Sequence, residues 1–148
     1  DVFERYIHFI DRRIARLTTA RIFLATDSER LRSMLVARYG DRVIDRNMVR
    51  LTGDTEHIGL HYLQHAGLDK AQIGRDVLID ALLLARCDEL VHGFSNVAFA
   101  ALHMHPDMPH INVDVACGWV TDSTVPSPVG EALKHLTRPL GRIRELFL

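Results

Sequence analysis

The sequence predicts an α/β fold with a doubly wound, mostly parallel, Rossmann-like sheet. Short apolar runs that suit buried strands alternate with longer periodic or apolar stretches that suit helices. Strands joined through helices pair in parallel, and right-handed crossovers place helices on both faces of such a sheet. With 148 residues the chain has room for one domain with a proper core, but not comfortably for two.

The elements of the first third follow from apolar spacing and capping residues. A helix is predicted over residues 2–17, because its apolar residues recur at spacings of four, four, four and three: Val2, Tyr6, Ile10, Ile14 and Leu17. Residues 22–25 suit a buried strand, and a helix over 29–39 follows. Thr26, Asp27 and Ser28 can cap that helix at its start, and Gly40 is placed as its C-cap. Residues 42–44 form a plausible second strand.

The rest of the chain continues the alternation after one irregular stretch. Residues 45–72 contain three glycines and no clean periodicity, so a long loop with a helical turn or two is predicted. Further elements are a helix from about 73 to 87, a strand at 89–92, a helix at about 96–105 and a strand at 110–113. Residues 19–114 are thus the predicted core, 121–128 a loop and 129–148 a helical C-terminal tail.

Composition restricts the classes of partner. The formal net charge is -1, so no strong field is available to attract nucleic acid or an acidic membrane. No apolar run approaches the length of a membrane-spanning helix. Lysine is rare and arginine supplies most of the basic residues, which suits a local anion site. Cys87 and Cys117 are interpreted as buried small hydrophobic residues rather than a disulfide or metal site.

The histidines do not predict a metal site. His57 and His61 have a spacing that can bring two imidazoles to one helix face, but Gly59 interrupts it. His103, His105 and His110 cluster around Pro106, and no carboxylate completes a recognisable ligand set. No metal or other cofactor is therefore expected. The chain also lacks a phosphate-binding Walker loop, a dinucleotide-binding glycine motif and a serine nucleophile elbow.

Asp80 is the one acid in the apolar run VLIDALLLA, and such a helix is expected to be buried nearly all round. A buried carboxylate must find donors or cost several kcal/mol. One interpretation is that Asp80 accepts two N–H groups from a ligand, such as the edge of guanine. The alternative is an aspartate on a single solvent-facing stripe, or one that caps a neighbouring loop.

Gly93, Phe94, Ser95 and Asn96 form a small polar loop between the strand ELVH and the next helix. Glycine lets the backbone approach a ligand closely, Ser95 can cap the helix, and the first N–H groups of the helix favour an anion. A plain strand–loop–helix with a serine cap would have the same sequence. Asp27 ends the first strand at the same edge of the sheet, where it either faces this loop or caps its own helix.

Three segments carry a resemblance to a known family: IFLATD (22–27), GRDVLIDALLLARCDELVHGFSN (74–96) and PHINV (109–113). Together they resemble the C-terminal half of fucosyltransferases that use GDP-fucose. This superfamily includes the nodulation, α-1,6- and protein O-fucosyltransferases. The resemblance covers roughly residues 20–114 and implies the nucleotide-binding, Rossmann-like half of a GT-B glycosyltransferase.

The resemblance implies a role for each matching residue. Asp80 would read the guanine N1–H and N2–H₂, and Ser95 with Asn96 would bind the β-phosphate. Phe94 and Gly93 would support that loop. Asp27 matches the first acid of the family's strand end, and Arg75 would approach the pyrophosphate. The implied reaction is inverting transfer of fucose from GDP-fucose to an acceptor hydroxyl, with no metal.

Two positions depart from the family pattern: Ser28 stands where a second acid is common, and Asn96 where a second hydroxyl is common. The family's His-x-Arg motif, whose arginine stabilises the departing diphosphate, is absent, so no catalytic residue is predicted. The N-terminal domain that would take a glycan or protein acceptor is expected to be missing.

Two functions follow from the sequence. One is a fucosyltransferase domain that binds GDP-fucose, and the other is a non-catalytic α/β module, a truncated or degenerate transferase that binds a nucleotide or a partner. Free cysteines fit a bacterial cytoplasm, whereas eukaryotic relatives work in the lumen of the secretory pathway.

Overall fold

A computed structural model of the chain describes residues 2–53, 69–117 and 146–147. The elements in these ranges alternate as the sequence predicts. The helices are α1 (Val2–Ile14), α2 (Glu29–Tyr39), α3 (Lys70–Leu84), α4 (Asn96–Met104) and α5 (Val113–Ala116), with a 3₁₀ turn at Gly40–Arg42. The strands are β1 (Ile22–Leu24), β2 (Val43–Asp45), β3 (Leu90–His92), β4 (His110–Asn112) and β5 (Leu146–Phe147).

The chain is a mixed α/β protein built on short parallel strand pairs. Ile22 of β1 is in register with Val43 of β2, and Leu90 of β3 is in register with His110 of β4. The two-residue strand β5 pairs in parallel with β1 and with β3, which gives the order β2-β1-β5-β3-β4. Because every pairing is parallel, the carboxyl ends of these strands lie at one edge.

Helices pack on both sides of the strands. Ile22 and Leu24 of β1 belong to one apolar cluster with residues of α1 and α2, among them Ile10 and Leu35. Phe23, which points the other way from the same strand, belongs to a second cluster with residues of α3 and α4. Alternation along a strand sends successive side chains to opposite faces, so α1 and α2 lie on one face and α3 and α4 on the other.

The bounds of helix α2 match the prediction because both of its ends are set by capping residues. Ser28 is its N-cap, and its Oγ accepts a hydrogen bond from the N–H of Leu31 at 3.1 Å. Gly40 follows the helix with a φ of 55°, in the left-handed region where a side chain is disfavoured. Both signals are local in sequence, which is why the pattern alone locates them.

Several expectations are wrong. Helix α3 begins at Lys70 rather than about 73, because Asp69 caps it by accepting from the N–H of Ala71. At the end of the predicted helical tail (129–148), Leu146 and Phe147 form a strand, because they pair with β1 and β3. Residues 129–145 of that prediction lie outside the described residues. Cys87 is buried as expected, but Cys117 is exposed because it ends the short helix α5. The predicted loop at 121–128 lies outside the described residues.

Helix α3 is not buried all round. Its inner face, which includes Asp80, Ala81 and Leu84, packs against α4. On its outer face Leu78 is 57% exposed and Leu82 is 45% exposed, and nothing in the described ranges covers them. The expectation of a fully buried helix is therefore wrong, although the burial of Asp80 itself is confirmed.

Within residues 2–53, 69–117 and 146–147, no helix has the length and apolar character needed to cross a membrane.

Candidate functional site

The carboxyl ends of β1 and β3 each lead into a helix capped by a serine. Ser28 after β1 caps α2, and the Oγ of Ser95 after β3 accepts a hydrogen bond from the N–H of Val97 at 3.2 Å. The predicted cap at Ser95 is confirmed. Within the described ranges, the N–H groups of Ser95 and Asn96 make no hydrogen bond, and Asn96 is exposed. These two N–H groups can donate hydrogen bonds to an anion, as those in the first turn of a helix generally can.

The loop itself is fixed by residues that come from far away in the sequence. The N–H of Phe94 donates to Oδ2 of Asp114 at 3.0 Å, and Asp114 lies in α5 just after β4. A Cβ placed on Gly93 would lie only 2.6 Å from the hydroxyl of Tyr6 and 3.0 Å from Oδ2 of Asp114. The lack of a side chain at Gly93 allows this close approach of Tyr6 and Asp114 to the loop.

Asp80 is buried and paired within the protein. It is 4% exposed, and its Oδ1 accepts a hydrogen bond from Nη1 of Arg46 at 2.6 Å. The other arm of the same guanidinium, Nη2, donates to Oδ1 of Asp76 at 2.7 Å. Burial raises the pKa of Asp80, and Arg46 opposes that rise. The pKa of Asp76 is lowered by a hydrogen bond from Gln72 and then by Arg46.

The burial and pairing of Asp80 exclude one of its sequence-based interpretations and leave the ligand-binding one open. Asp80 does not lie on a solvent-facing stripe, so that alternative is wrong. Its Oδ1 is held by Arg46, and among the described residues no donor reaches Oδ2. The Oδ2 atom of Asp80 can therefore accept hydrogen bonds from a ligand, at a side chain that is almost completely buried.

Asp27 and Arg75, which the family resemblance places near a ligand, are both exposed. The carbonyl of Asp27 accepts from the N–H of Leu51 at 2.7 Å, and the carbonyl of Leu51 accepts from the N–H of Glu29 at 3.1 Å. Leu51, 3% exposed, thus lies across the end of β1. Ser28 rather than Asp27 is the helix cap. The side chain of Arg75 is 59% exposed and donates to Gln72 on its own helix at 2.8 Å.

Two histidines adjoin the loop after β3. Nδ1 of His92 lies 2.7 Å from the carbonyl oxygen of Gly93, and because that oxygen only accepts, Nδ1 carries the proton. Nε2 of the neutral ring is then an acceptor, so Nδ1 of His110, at 3.0 Å, donates to it. Burial lowers the pKa of His92 to about 4, and burial also lowers the pKa of His110. Both rings are neutral at pH 7.

Acidification is expected to destabilise the protein through His92. Its pKa is about 4 in the folded chain and about 6.5 in the unfolded chain, which therefore binds more protons in this interval. The stability from the neutral ring is complete above the unfolded value and is lost as pH falls toward the folded value. We expect a loss of about 2–3 kcal/mol, measured by urea unfolding at a series of pH values.

A matched pair of variants isolates this effect. His92→Asn keeps a nitrogen donor at the position of Nδ1 but does not titrate, so its stability should fall less on acidification. His103→Asn is the control, because exposed His103 also places Nδ1 near a backbone carbonyl, that of Phe99 at 2.7 Å. An acid slope in His92→Asn equal to that of the wild type would show that other groups cause it.

The remaining histidines offer no metal ligand set in the described part of the chain, where no group of three or more potential ligand residues comes together. His105, like His103, places Nδ1 near a backbone carbonyl, that of Ala85 at 3.1 Å. His57 and His61 lie outside the described residues.

The partners that hold the site together are distant in sequence from the residues they contact. Arg46 lies 34 residues before Asp80, inside the stretch interpreted as a loop. Asp114 is 20 residues beyond Phe94, and Tyr6 belongs to the first helix. The only sequence signal for Arg46 is the charged pattern DRNMVR directly after the second strand. Tyr6 and Asp114 have no local signal.

Comparisons of the chain with protein-family models, with curated proteins and with solved structures find no match.

Proposed function

We propose that this chain is the nucleotide-sugar-binding domain of a fucosyltransferase-like enzyme that uses GDP-fucose. In this proposal the parallel strands form a doubly wound, Rossmann-like sheet similar to the C-terminal half of a GT-B glycosyltransferase. The observation that carries the proposal is the edge formed by the carboxyl ends of the parallel strands. There the N–H groups of Ser95 and Asn96 make no hydrogen bond among the described residues. In α/β proteins, ligands bind outside this edge.

The contacts of Asp80 and Ser95 suit the two ends of a GDP molecule. Arg46 fixes the carboxylate of Asp80 through Oδ1, and Oδ2 is then the acceptor for the guanine N–H groups. The first turn of α4 would hold the β-phosphate through the N–H groups of Ser95 and Asn96, helped by the positive end of the helix dipole. Helices α3 and α4 pack against each other, so the two proposed ends of the site lie on neighbouring elements.

The proposed reaction is inverting transfer, in which an acceptor hydroxyl attacks the anomeric carbon of fucose as GDP departs. The residues of this chain bind and orient GDP. They do not supply the arginine that stabilises the departing diphosphate, since the sequence has no His-x-Arg. Backbone N–H groups at α4 would stabilise part of the charge that develops on the β-phosphate.

Thermal unfolding with nucleotides tests the binding step. At about 100 times its Kd, a ligand stabilises the folded state by about 2.7 kcal/mol, which for this size raises Tm by about 5 °C or more. GDP is expected to produce that shift, and ADP and UDP are not. Absence of a GDP shift at millimolar concentration in a folded sample contradicts nucleotide binding, and equal shifts with all three nucleotides contradict the role of Asp80.

Two matched pairs of variants locate the contacts. Asp80→Asn and Asp76→Asn each remove one carboxylate from Arg46, but only Asp80→Asn should abolish the preference for GDP. Ser95→Ala and Ser28→Ala each remove a helix N-cap but keep every backbone N–H group. Only the cap of α4 holds the first turn proposed for the β-phosphate in place, so only Ser95→Ala should weaken GDP binding. If Asp76→Asn or Ser28→Ala reduces the GDP shift as much as its partner, the loss reflects general destabilisation.

One observation favours a second candidate, a non-catalytic α/β module descended from such a transferase. The carboxylate of Asp114 accepts the N–H of Phe94 in the loop where a phosphate would bind. The Asp114 charge opposes an anion there, and Arg46 already satisfies one oxygen of Asp80. For this candidate, the same titration shows no shift with any of the three nucleotides.

A further inference from the structure

A polar cleft lies at the carboxyl end of β2, beside the start of α2. Its volume is about 670 Å³, and Glu29, Arg32, Asp45, Asn47 and Arg50 are among the residues that line it. Sites for small molecules are typically about 300–1,000 Å³ in volume. The cleft is separate from the loop after β3, and the role proposed above for Ser95 and Asn96 does not involve it.

The cleft is rich in hydrogen-bond donors. Two guanidinium groups hold the single carboxylate of Asp45: Arg32 donates through Nε to Oδ2 at 2.5 Å, and Arg50 donates through Nη2 to Oδ1. Arg50 also donates to the carbonyl of Arg46 at 2.8 Å, and Arg32 donates to Glu29 at 2.9 Å. Each guanidinium has five N–H donors, so more donors line the cleft than these acceptors use.

Arg50 supplies the observation that points to a ligand. Its side chain is 7% exposed, and its buried Nε has no hydrogen-bond partner in the part of the chain that the structure describes. Leaving a buried charged donor without an acceptor is costly. An oxygen-rich anion would supply that acceptor, and the planar guanidinium suits the geometry of phosphate.

Two carboxylates in the cleft, those of Glu29 and Asp45, oppose an anion, and the contact of Glu29 is the more easily exchanged. The side chains of Glu29 and Arg32 are 34% and 35% exposed, and exposed ion pairs of this kind contribute little stability. A phosphate oxygen can therefore replace the Glu29 carboxylate at Arg32 with little loss. Asp45 is 16% exposed and bound by both arginines, so it keeps the two guanidinium groups side by side.

We propose that this cleft binds the phosphate group of a small molecule between Arg32 and Arg50. The inference does not depend on GDP binding, because it involves the end of β2 and not the loop after β3. It predicts opposite effects for two neighbouring substitutions in α2. Arg32→Gln removes a donor and should weaken binding, whereas Glu29→Gln removes the competing charge and should strengthen it.

The test is a titration of the whole chain with inorganic phosphate at low ionic strength, followed by calorimetry or NMR. Losing one charge-assisted hydrogen bond should weaken binding about tenfold in Arg32→Gln, and Glu29→Gln should bind a few-fold more tightly. The control is Arg38→Gln, which removes an arginine of the same helix that pairs with Asp11 outside the cleft. It should bind within about twofold of the wild type, as expected for a screened distant charge.

Several outcomes would overturn the proposal. The cleft does not bind phosphate if titration to about 10 mM, a weak affinity by any standard, shows no saturation. Equal weakening in Arg38→Gln and Arg32→Gln would mean nonspecific attraction to arginine. Weaker binding in Glu29→Gln would place the anion elsewhere, and acetate binding as tightly as phosphate would contradict the phosphate assignment. Arg32→Gln should leave the preference for GDP over ADP and UDP unchanged, which separates this test from the GDP experiment.

Discussion

Arg46→Met is expected to lower the free energy of unfolding by about 3–4 kcal/mol, because it removes one partner of a buried ion pair. Arg46 donates to the carboxylates of both Asp80 and Asp76 and to the carbonyl of Asp76. Asp80 is 4% exposed, so water can compensate its charge only poorly once the guanidinium is gone. Urea unfolding of the variant and the wild type at neutral pH measures the difference.

Two further variants test the physical reason. In the double variant Arg46→Met with Asp80→Leu, both charges are replaced by apolar groups, and most of the lost stability should return. Arg75→Met removes an arginine of α3 whose side chain is 59% exposed, and it should change stability by less than about 0.5 kcal/mol. If the double variant is as unstable as Arg46→Met alone, the cost does not come from an unpaired Asp80 carboxylate.

The parts of the fold that the sequence predicts are those with local signals. Helix α2 lies between a capping serine and a left-handed glycine, and the sequence indicates both. The sequence pattern does not predict the start of α3, because Asp69 precedes a polar first turn, KAQIG, which carries no apolar periodicity. The outer face of α3, with Leu78 and Leu82, is exposed although the helix is apolar, so apolar composition alone does not predict burial. An apolar helix is buried only where another element covers it.

In the candidate site, too, the features with local sequence signals are predicted and the contacts between distant residues are not. Ser95 as the cap of α4 follows from residues next to it in the chain, and so does the burial of Asp80 inside an apolar run. What surrounds them depends on contacts between distant residues. The hydrogen bond between Phe94 and Asp114 spans 20 residues, and the pair of Arg46 with Asp80 spans 34. These contacts arise from the order of the strands, which one sequence does not reveal by pattern.

Arg13→Leu is expected to lower the free energy of unfolding by about 3–5 kcal/mol at pH 7, because it leaves a buried carboxylate without its counter-charge. Glu89, just before β3, is 0% exposed, and its Oε1 lies 2.6 Å from Nη2 of Arg13 at the end of α1. The contact is ionic rather than a well-aligned hydrogen bond, so Glu89 depends on the nearby positive charge. Urea unfolding measures the loss.

The loss should shrink in acid. Burial raises the pKa of Glu89, and Arg13 opposes that rise, so removing Arg13 raises the pKa further. A carboxyl group whose folded pKa exceeds its unfolded value, about 4.3, favours folding below that value and disfavours it as pH rises through the folded pKa. The difference between Arg13→Leu and the wild type should therefore be smaller near pH 4 than at pH 7.

Two controls distinguish the buried charge from other effects of the substitution. Arg12→Leu changes an exposed arginine of the same helix and should leave stability almost unchanged. Arg13→Leu combined with Glu89→Leu removes both charges and should regain most of the stability with little dependence on pH. If the loss in Arg13→Leu is the same at both pH values, the cause is lost packing by the arginine side chain and not the Glu89 charge.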